Sequence, residues 1–329
     1  MLLFIIALIA LALPIGRYMA RVYQGDLGIS GKVLGPVERL FYRAGGVEPD
    51  EDMAWTKYAA AVLVFNMFGL LVVYVLQRLQ HVLPLNPAAM GAVTPEVSFN
   101  TAVSFASNTN WQVYSGETTM SHLTQMLALT VQNFVSAATG MAVLIALLRG
   151  FTRREARGVG NFWVDLTRSV LYVLLPLAVV LALVFVSQGV VQTFAGSASA
   201  TLLEPLKNAD GKSILDQAIA LGPVASQLAI KQLGTNGGGF FNVNSAHPFE
   251  NPSPLSNMFE VLSILLIPAA LCFTFGALVK DRRQGWALFA AMSVIFVPLM
   301  VGTAVAEQAG NPALPALGID TAASDFASG

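Results

Sequence analysis

Residues 222–239 read GPVASQLAIKQLGTNGGG, a segment of helical length followed by a polar, glycine-rich stretch. A helix of about twelve residues is too short to span a bilayer, which takes about 20 apolar residues. Pro223 suits the first turn of a helix. Three successive glycines permit positive φ angles and let the backbone approach a ligand closely. The stretch therefore predicts a short helix that enters the membrane and an extended loop that returns.

A second stretch of this kind lies earlier, at residues 95–111, and reads PEVSFNTAVSFASNTNW. The pair Thr-Asn follows both short helices, at 109–110 and 235–236. Irregular backbone persists at membrane depth only where it is buried in protein or lines a water-filled path. Both stretches therefore predict a pore helix and a filter loop. Plain extracellular loops remain an alternative, whereas a phosphate-binding loop would end in Gly-Lys-Ser/Thr and open a helix.

Six apolar windows are long enough to cross a membrane. Outer-membrane strands would instead alternate polar and apolar residues over about ten positions. The windows predict an all-α polytopic membrane protein with about six transmembrane helices. They are Leu2–Tyr23, Trp55–Leu79, Leu123–Leu148, Phe162–Gln188, Leu255–Val279 and Trp286–Ala306.

The composition agrees with that class. Of 329 residues, 55% are hydrophobic and 11% charged, and the mean hydropathy is +0.64. Soluble domains carry about 25% charged residues, so this chain lacks the polar surface of a cytoplasmic enzyme or a disordered protein. The net charge is −1, which provides no basic field for nucleic acid. The single cysteine, Cys272, excludes a disulfide framework.

Basic residues predict the orientation of the spans. Arg17 and Arg21 close the first window, whereas a signal peptide carries its basic residues before the apolar run. We therefore expect an uncleaved first helix with its N-terminus outside. The basic clusters at 17–57, 149–168 and 280–283 follow the first, third and fifth spans, so all three lie on the same side of the membrane. Because cytoplasmic loops are rich in Lys and Arg, this side is predicted to be cytoplasmic.

The chain repeats itself in order and in register. The matched features are Trp55 and Trp163, Gln80 and Gln188, Leu123 and Leu255, Met126 and Met258, the alanine pairs at 137–138 and 269–270, and Arg-Arg at 153–154 and 282–283. The repeat predicts an extra span and cytoplasmic segment at 1–54, span–pore–span repeats at 55–154 and 155–283, and the first span of an incomplete third repeat, with an external tail, at 284–329.

Both loops favour a cation as ligand. A short helix that points into the membrane directs its negative C-terminal end at the pore. Carbonyl oxygens of the extended loop then replace the hydration shell of a dehydrated ion. Divalent ions recruit carboxylates, and neither filter loop, 108–111 or 234–239, contains one. Neutral Asn, Thr and Gly suit a weakly hydrated monovalent cation such as potassium.

Five longer blocks make the match to a known family. They are NTAVSF at 100–105, NTNWQ at 108–112, YSGETT at 114–119, LGTNGGGFFN at 233–242 and HPFENP at 247–252. Together they resemble the potassium-binding A subunit family of the bacterial Kdp complex, KdpA, over the whole chain. That resemblance implies a potassium-channel-like fold of four span–pore–span repeats and potassium uptake from outside through a carbonyl-lined filter.

The resemblance also implies the site residues and the partners. The filter residues are Asn108, Thr109, Asn110, Gly234, Thr235, Asn236, Gly237 and Gly238, and the supporting residues are Gln112, Asn242 and Asn244. Potassium is the ion bound. The partners are a P-type ATPase B subunit and small C and F subunits within the bilayer. No Walker loop and no Asp-Lys-Thr-Gly motif occurs in the sequence, so we expect ATP to bind a partner subunit and catalysis to lie there.

Two departures from a four-repeat channel stand out. The first loop lacks glycine, and only two complete repeats are present. We expect two loops to line part of an ion site, so that the chain alone forms no selective path. A passive channel or secondary transporter, with two chains contributing two loops each, remains an alternative that conducts without ATP.

Three charged residues of the outer half are open to interpretation. Glu117 is either a charge at the mouth or an interfacial carboxylate. Lys231, within the second pore helix, either pairs with Glu117 or Glu250 or extends to the outer surface, because an unpaired charge at membrane depth is costly. Glu260 is expected to reach the interface.

Overall fold

The structure is a computed structural model that describes residues 1–153, 158–207 and 211–318. Arg154 and Arg157 of the second basic cluster and the end of the external tail lie outside the described residues. The helices of ten or more residues are α1 Leu2–Tyr23, α2 Gly28–Gly45, α3 Trp55–Leu79, α4 Pro95–Ala106, α5 Thr124–Thr152, α6 Phe162–Ser187, α7 Val224–Leu233, α8 Pro254–Leu278 and α9 Arg282–Ala309. Strands β1 Ser197–Lys207 and β2 Ser213–Ala220 form an antiparallel hairpin.

Within the described residues, α1, α3, α5, α6, α8 and α9 are long and apolar enough to cross a membrane. This confirms the predicted class of an all-α polytopic membrane protein. Helices α4 and α7 are the two short helices predicted before the loops, and Pro95 occupies the first turn of α4. The region between α6 and α7 contains the β-hairpin. Helix α2 was not predicted.

In each repeat a glutamine side chain at the outer end accepts a hydrogen bond from a serine, through the backbone in one repeat and the hydroxyl in the other. Gln80, just after α3, accepts from the backbone N–H of Ser121 at 3.0 Å. Gln188, just after α6, accepts from the hydroxyl of Ser253 at 2.9 Å. Ser253 also caps α8 through Ser256 in a reciprocal capping box. The matched glutamines therefore join the first span of each repeat to the start of the second, as a duplication predicts.

Helices α5 and α6 each contain π-helical turns, at Thr124–Thr130 and Ser169–Leu174. The second of these precedes Pro176. A proline has no N–H to donate to the carbonyl four residues earlier, which here belongs to Tyr172. The hydroxyl of Tyr18 on α1 donates to that carbonyl at 2.9 Å. The irregular turn thus becomes an attachment point for the first helix.

Helix α1 packs along α8 through small residues. Ala12, Gly16 and Ala20 are buried at four-residue spacing, a pattern that lets two membrane helices approach closely. A Cβ atom at Gly16 would lie 2.5 Å from the carbonyl oxygen of Ala270 on α8. The hydroxyl of Thr274 donates to the Gly16 carbonyl at 3.0 Å. The extra N-terminal helix is therefore attached to the second repeat.

The three basic clusters lie at one end of the bundle. Arg17 shares a cavity with Lys280 and Arg282. Arg153, after α5, forms an ion pair with Asp52, before α3. The loops and the β-hairpin belong to the opposite end. The predicted separation of charge between the two ends is therefore present in the fold.

Candidate ion-binding site in the paired loops

The first loop leaves the end of α4 and turns sharply. The backbone N–H groups of Thr109 and Asn110 donate to the carbonyl of Ser104, at 2.9 and 3.1 Å. Asn108 and Asn110 adopt left-handed φ angles of 61° and 55°. Asparagine tolerates this conformation better than most residues, which explains how a loop without glycine adopts it.

The second loop has the same geometry at the end of α7. The N–H groups of Asn236 and Gly237 donate to the carbonyl of Lys231, at 3.0 and 3.1 Å. Thr235 and Gly237 have φ angles of 63° and 70°. The two pore helices therefore end in the same hydrogen-bonded turn.

This bonding pattern corrects the register predicted between the loops. Asn108 corresponds to Thr235 and Thr109 to Asn236, so the two Thr-Asn pairs are offset by one residue. Both pairs lie in their loops as expected, but they do not occupy equivalent positions. The residue at which each pore helix ends, Ala106 or Leu233, sets the register, and residue identity does not.

The carbonyl directions follow from the same hydrogen bonds. In a trans peptide the C=O points opposite to the N–H of the next residue. Because the N–H groups of Thr109 and Asn110 point back at α4, the carbonyls of Asn108 and Thr109 point away from it. By the same argument the carbonyls of Thr235 and Asn236 point away from α7. Each loop thus directs two successive carbonyls to the side opposite its pore helix.

Side chains join the two loops directly. The amide of Asn236 donates to the side-chain oxygen of Asn108 at 2.7 Å. Asn108 also accepts from the hydroxyl of Ser136, in the middle of α5, at 2.7 Å. Its own amide donates to the Gly234 carbonyl at 3.4 Å. Asn108 and Asn236 therefore use their side chains to hold the loops together.

A cavity of about 360 Å³ lies beside both loops on the side of the mid-helix segments of α5 and α8. Asn108 and Thr235 line it from the loops, and Ser136 and Thr139 line it from α5. The side chain of Asn133, on the same helix, is fully buried and forms no hydrogen bond with the described residues. Neutral oxygen atoms thus continue from the loops into the cavity.

The segments that follow the two loops, residues 112–117 and 241–250, form an outer rim. Two carboxylates stabilise this rim. Glu117 accepts from the backbone N–H of Asn242 at 3.0 Å, which ties the end of the first loop region to the second. Glu250 is fully buried and accepts from the N–H of Phe241 at 2.9 Å. The contact with Asn242 places the Glu117 carboxylate beside the segment that follows the second loop, which agrees with the interpretation of Glu117 as a charge at the mouth.

The other rim residues have separate positions. The side chain of Asn244 lies against Gly238, where a Cβ atom would collide with it. Gln112 bonds the hydroxyl of Tyr114 at 3.3 Å, so its contact is with its own segment. His247 stacks on Phe241 with ring centroids 3.7 Å apart. Burial lowers the pKa of His247, an effect that nearby Glu117 opposes, so the ring is neutral at neutral pH.

Two charged residues that could have reached the outer surface, Lys231 and Glu260, are buried. Lys231 is 1% exposed, does not extend to the surface, and has its ammonium group 5.4 Å from the centroid of the Phe105 ring. Glu250 is its electrostatic partner. Glu260 is 3% exposed and accepts from Gln232 of α7 at 3.0 Å, so the expectation that it reaches the interface was wrong. Its position one turn inside a span was the available signal.

The fold defines a polytopic helical membrane protein in which two short helices each end in the same hydrogen-bonded loop. The profile of the family described as potassium-transporting ATPase A subunit, KdpA, matches residues 2–326. The chain belongs to this family, as its motifs indicated.

Curated relatives carry one shared description, potassium-transporting ATPase potassium-binding subunit. The protein of Sorangium cellulosum is 65% identical over 327 residues, which cover 99% of this chain and 56% of the relative. That of Herpetosiphon aurantiacus is 61% identical with the same coverage. That of Methylococcus capsulatus is 59% identical over 96% of this chain and 56% of the relative. The chain thus spans little more than half the length of these relatives.

Proposed function

We propose that the chain forms part of a potassium-selective uptake path, as the potassium-binding subunit of an ATP-driven complex. One observation carries the proposal: two loops, at equivalent places in two repeats, direct successive carbonyl oxygens away from their pore helices with the same hydrogen-bonded turn. Rings of such carbonyls replace the hydration shell of potassium in channels.

The chemistry of the loops favours a monovalent ion. The carbonyls of Asn108, Thr109, Thr235 and Asn236 provide neutral oxygens, of which that of Asn108 also accepts from the Asn236 amide at 3.4 Å. Gly237 and Gly238 extend the second loop with φ angles of 70° and 67°. The negative ends of α4 and α7 lie behind these oxygens. Gly234 and Asn110 flank them, while Asn242 and Asn244 belong to the rim.

The proposed setting follows from the family and from the names of the relatives. We place the chain in the bacterial inner membrane with its N-terminus outside and its basic end in the cytoplasm. The domains are the four segments 1–54, 55–154, 155–283 and 284–329. A P-type ATPase B subunit hydrolyses ATP, and small C and F subunits complete the complex. The cavity beside the loops receives the ion after the filter.

The test uses the second loop of the full-length protein, expressed with its partner subunits in cells that lack other potassium uptake. Gly237→Ala adds a Cβ atom 3.3 Å from Ile264 at a left-handed residue. A side chain in that conformation costs about 1–2 kcal/mol. We expect the potassium concentration for half-maximal uptake to rise about tenfold, with weaker discrimination against rubidium and ammonium.

Gly302→Ala, on an exposed face of α9 with open space around it, is the matched control. Uptake with unchanged affinity and selectivity in Gly237→Ala would remove the second loop from the filter. Selective potassium flux in vesicles without ATP would contradict the pump assignment and favour the passive channel.

A further inference from the structure

A second cavity begins under α2 at the basic end of the bundle and reaches the pore helix α7. Its volume is about 600 Å³, and it lies between α2, α3, α5, α6 and Ile230 of α7. Phe41, Phe65, Phe134, Trp163 and Val170 are among the side chains that line it. An apolar cavity of this kind does not hold water, because water needs polar partners. In a membrane protein, its ligand must be apolar.

Helix α2 covers this cavity and is firmly attached by one face. Glu38 on that face accepts hydrogen bonds from the hydroxyls of Tyr42 and Tyr172, at 2.6 and 2.7 Å. Arg168 of α6 forms an ion pair with the same carboxylate at 3.1 Å. The helix therefore has a fixed orientation, and its remaining faces have defined surroundings.

Of the two remaining faces of α2, one is apolar and the other is basic. One exposes large apolar side chains, those of Ile29, Val33, Leu40 and Phe41. The other carries the basic stripe, which consists of Lys32, Arg39 and Arg43; all three are exposed and form no ion pair with the described residues. A helix of this pattern lies in the membrane interface with its basic side toward the headgroups.

The two features lie on opposite sides of the same helix. Phe41, Tyr42 and Gly45 line the cavity, while the basic stripe faces away from it. The cavity is therefore at the depth of acyl chains and the stripe at the depth of headgroups. Each Lys or Arg near an anionic leaflet contributes about fivefold in affinity.

We propose that α2 and this cavity form a binding site for an anionic phospholipid. The headgroup binds the basic stripe, and an acyl chain occupies the cavity against Trp163. The loop carbonyls do not line the site, although Ile230 of the pore helix α7 forms part of its wall.

Trp163 provides a direct probe. The full chain, with Trp55, Trp111 and Trp286 replaced by phenylalanine, is reconstituted in phosphatidylcholine. Phosphatidylglycerol with brominated acyl chains, which quench tryptophan on contact, is then added in small amounts. Brominated phosphatidylcholine is the comparison lipid. We expect half-maximal quenching at an at least fivefold lower mole fraction of the anionic lipid.

Variants separate the two parts of the site. Arg39→Gln with Arg43→Gln should abolish the preference for the anionic lipid, whereas Arg283→Gln, an exposed arginine of α9, should preserve it. Val135→Phe, which adds volume to the cavity wall, should reduce quenching by both lipids. The emission maximum of Trp163 in unbrominated lipid verifies the fold of each variant.

Two results would overturn the proposal. Equal quenching by both lipids would show that the basic stripe selects no headgroup. Quenching no greater than that of a bilayer-exposed tryptophan would show that protein, not lipid, fills the cavity.

Discussion

At the scale of single residues, the loops depend on backbone conformations that side chains normally avoid. Asn108 and Asn110 tolerate a left-handed φ, but Thr235 is β-branched and has a φ of 63°. A β-branched residue in this region is an outlier. Such strain persists where the surrounding structure enforces it, and it often marks a functional site. In this structure the hydrogen bonds from Asn236 and Gly237 to Lys231 enforce it.

The corrected register makes a prediction about two threonines. Thr235→Gly relieves a strain of about 1–2 kcal/mol, which offsets the added entropy of glycine in the unfolded chain. Thr109 has an ordinary negative φ, so Thr109→Gly relieves no strain; it adds the entropic cost and removes the hydrogen bond between the hydroxyls of Thr109 and Ser107 at 2.9 Å. We expect Thr235→Gly to melt near the parent temperature and Thr109→Gly to melt lower in thermal unfolding. Equal losses would restore the register based on the Thr-Asn pairs.

The sequence predicted which residues form the loops, because a short helix followed by Asn, Thr and Gly has few other uses in a membrane. It could not predict that Asn108 and Asn236 would bond each other, since that contact joins residues far apart in the chain. Ser136 was missed for the same reason. Its polarity in the middle of a span was the only local signal.

At the scale of helices, two contacts fix the N-terminal part of the chain. One is the small-residue contact between α1 and α8 at Gly16. The other is the attachment of α2 through Glu38. Helix α2 was not predicted because Pro36 and several glycines lower its helix propensity, and its stability comes from contacts with α6. The π-helical turns also depend on tertiary contacts and have no signal of their own.

Close approach at Gly16 predicts a large effect of a small change. Gly16→Val would force the added atoms against the carbonyl of Ala270, and overpacking of this kind costs about 1–3 kcal/mol. We expect a clear drop in melting temperature in detergent. Gly302→Val, at an open position of α9, should leave it nearly unchanged. A parent-like melting temperature for Gly16→Val would mean that α1 is not held by this contact.

Glu38 makes the attachment of α2 sensitive to acid. Burial disfavours its charge, but hydrogen bonds from Tyr172, Tyr42 and Arg168 outweigh that effect and lower the pKa of Glu38 below its ordinary 4.5. Because the folded pKa is the lower one, the stabilisation is complete above pH 4.5 and is lost as the pH falls through the folded value.

The measurement compares melting temperatures across that range. Acidification from about pH 6 to pH 3 should destabilise the parent more than Glu38→Gln, which cannot titrate at this position. At pH 6 the Gln variant should already melt lower, because Arg168 loses its partner. Parallel curves for the two proteins would exclude Glu38 as the titrating group.

At the scale of the whole molecule, charge separates the two ends. The basic clusters lie together at one end, while Glu117, the loops and the hairpin lie at the other. The spans and this separation were predictable because both depend on composition over long windows. The direction in which the molecule crosses the membrane is part of the proposed function.

Thiol labelling tests that direction. In a Cys272→Ala background, a cysteine replaces Ser213 at the start of β2 or Gln284 at the start of α9, both exposed. An impermeant reagent added to intact cells should label the Ser213→Cys protein and spare the Gln284→Cys protein. Permeabilised cells should allow both to react. The reverse pattern in intact cells would invert the orientation.

The β-hairpin records how the two repeats have diverged. Trp163 follows Trp55 by 108 residues, Thr235 follows Asn108 by 127, and Ser253 follows Ser121 by 132. The spacing grows most between the first span and the pore helix, where the second repeat holds the hairpin, and again slightly between the loop and the second span. The two repeats therefore differ in length after the first span and after the loop, at the end of the bundle that carries the hairpin. These segments tolerate a difference in length, while the turns that end on the carbonyls of Ser104 and Lys231 keep the same hydrogen bonds.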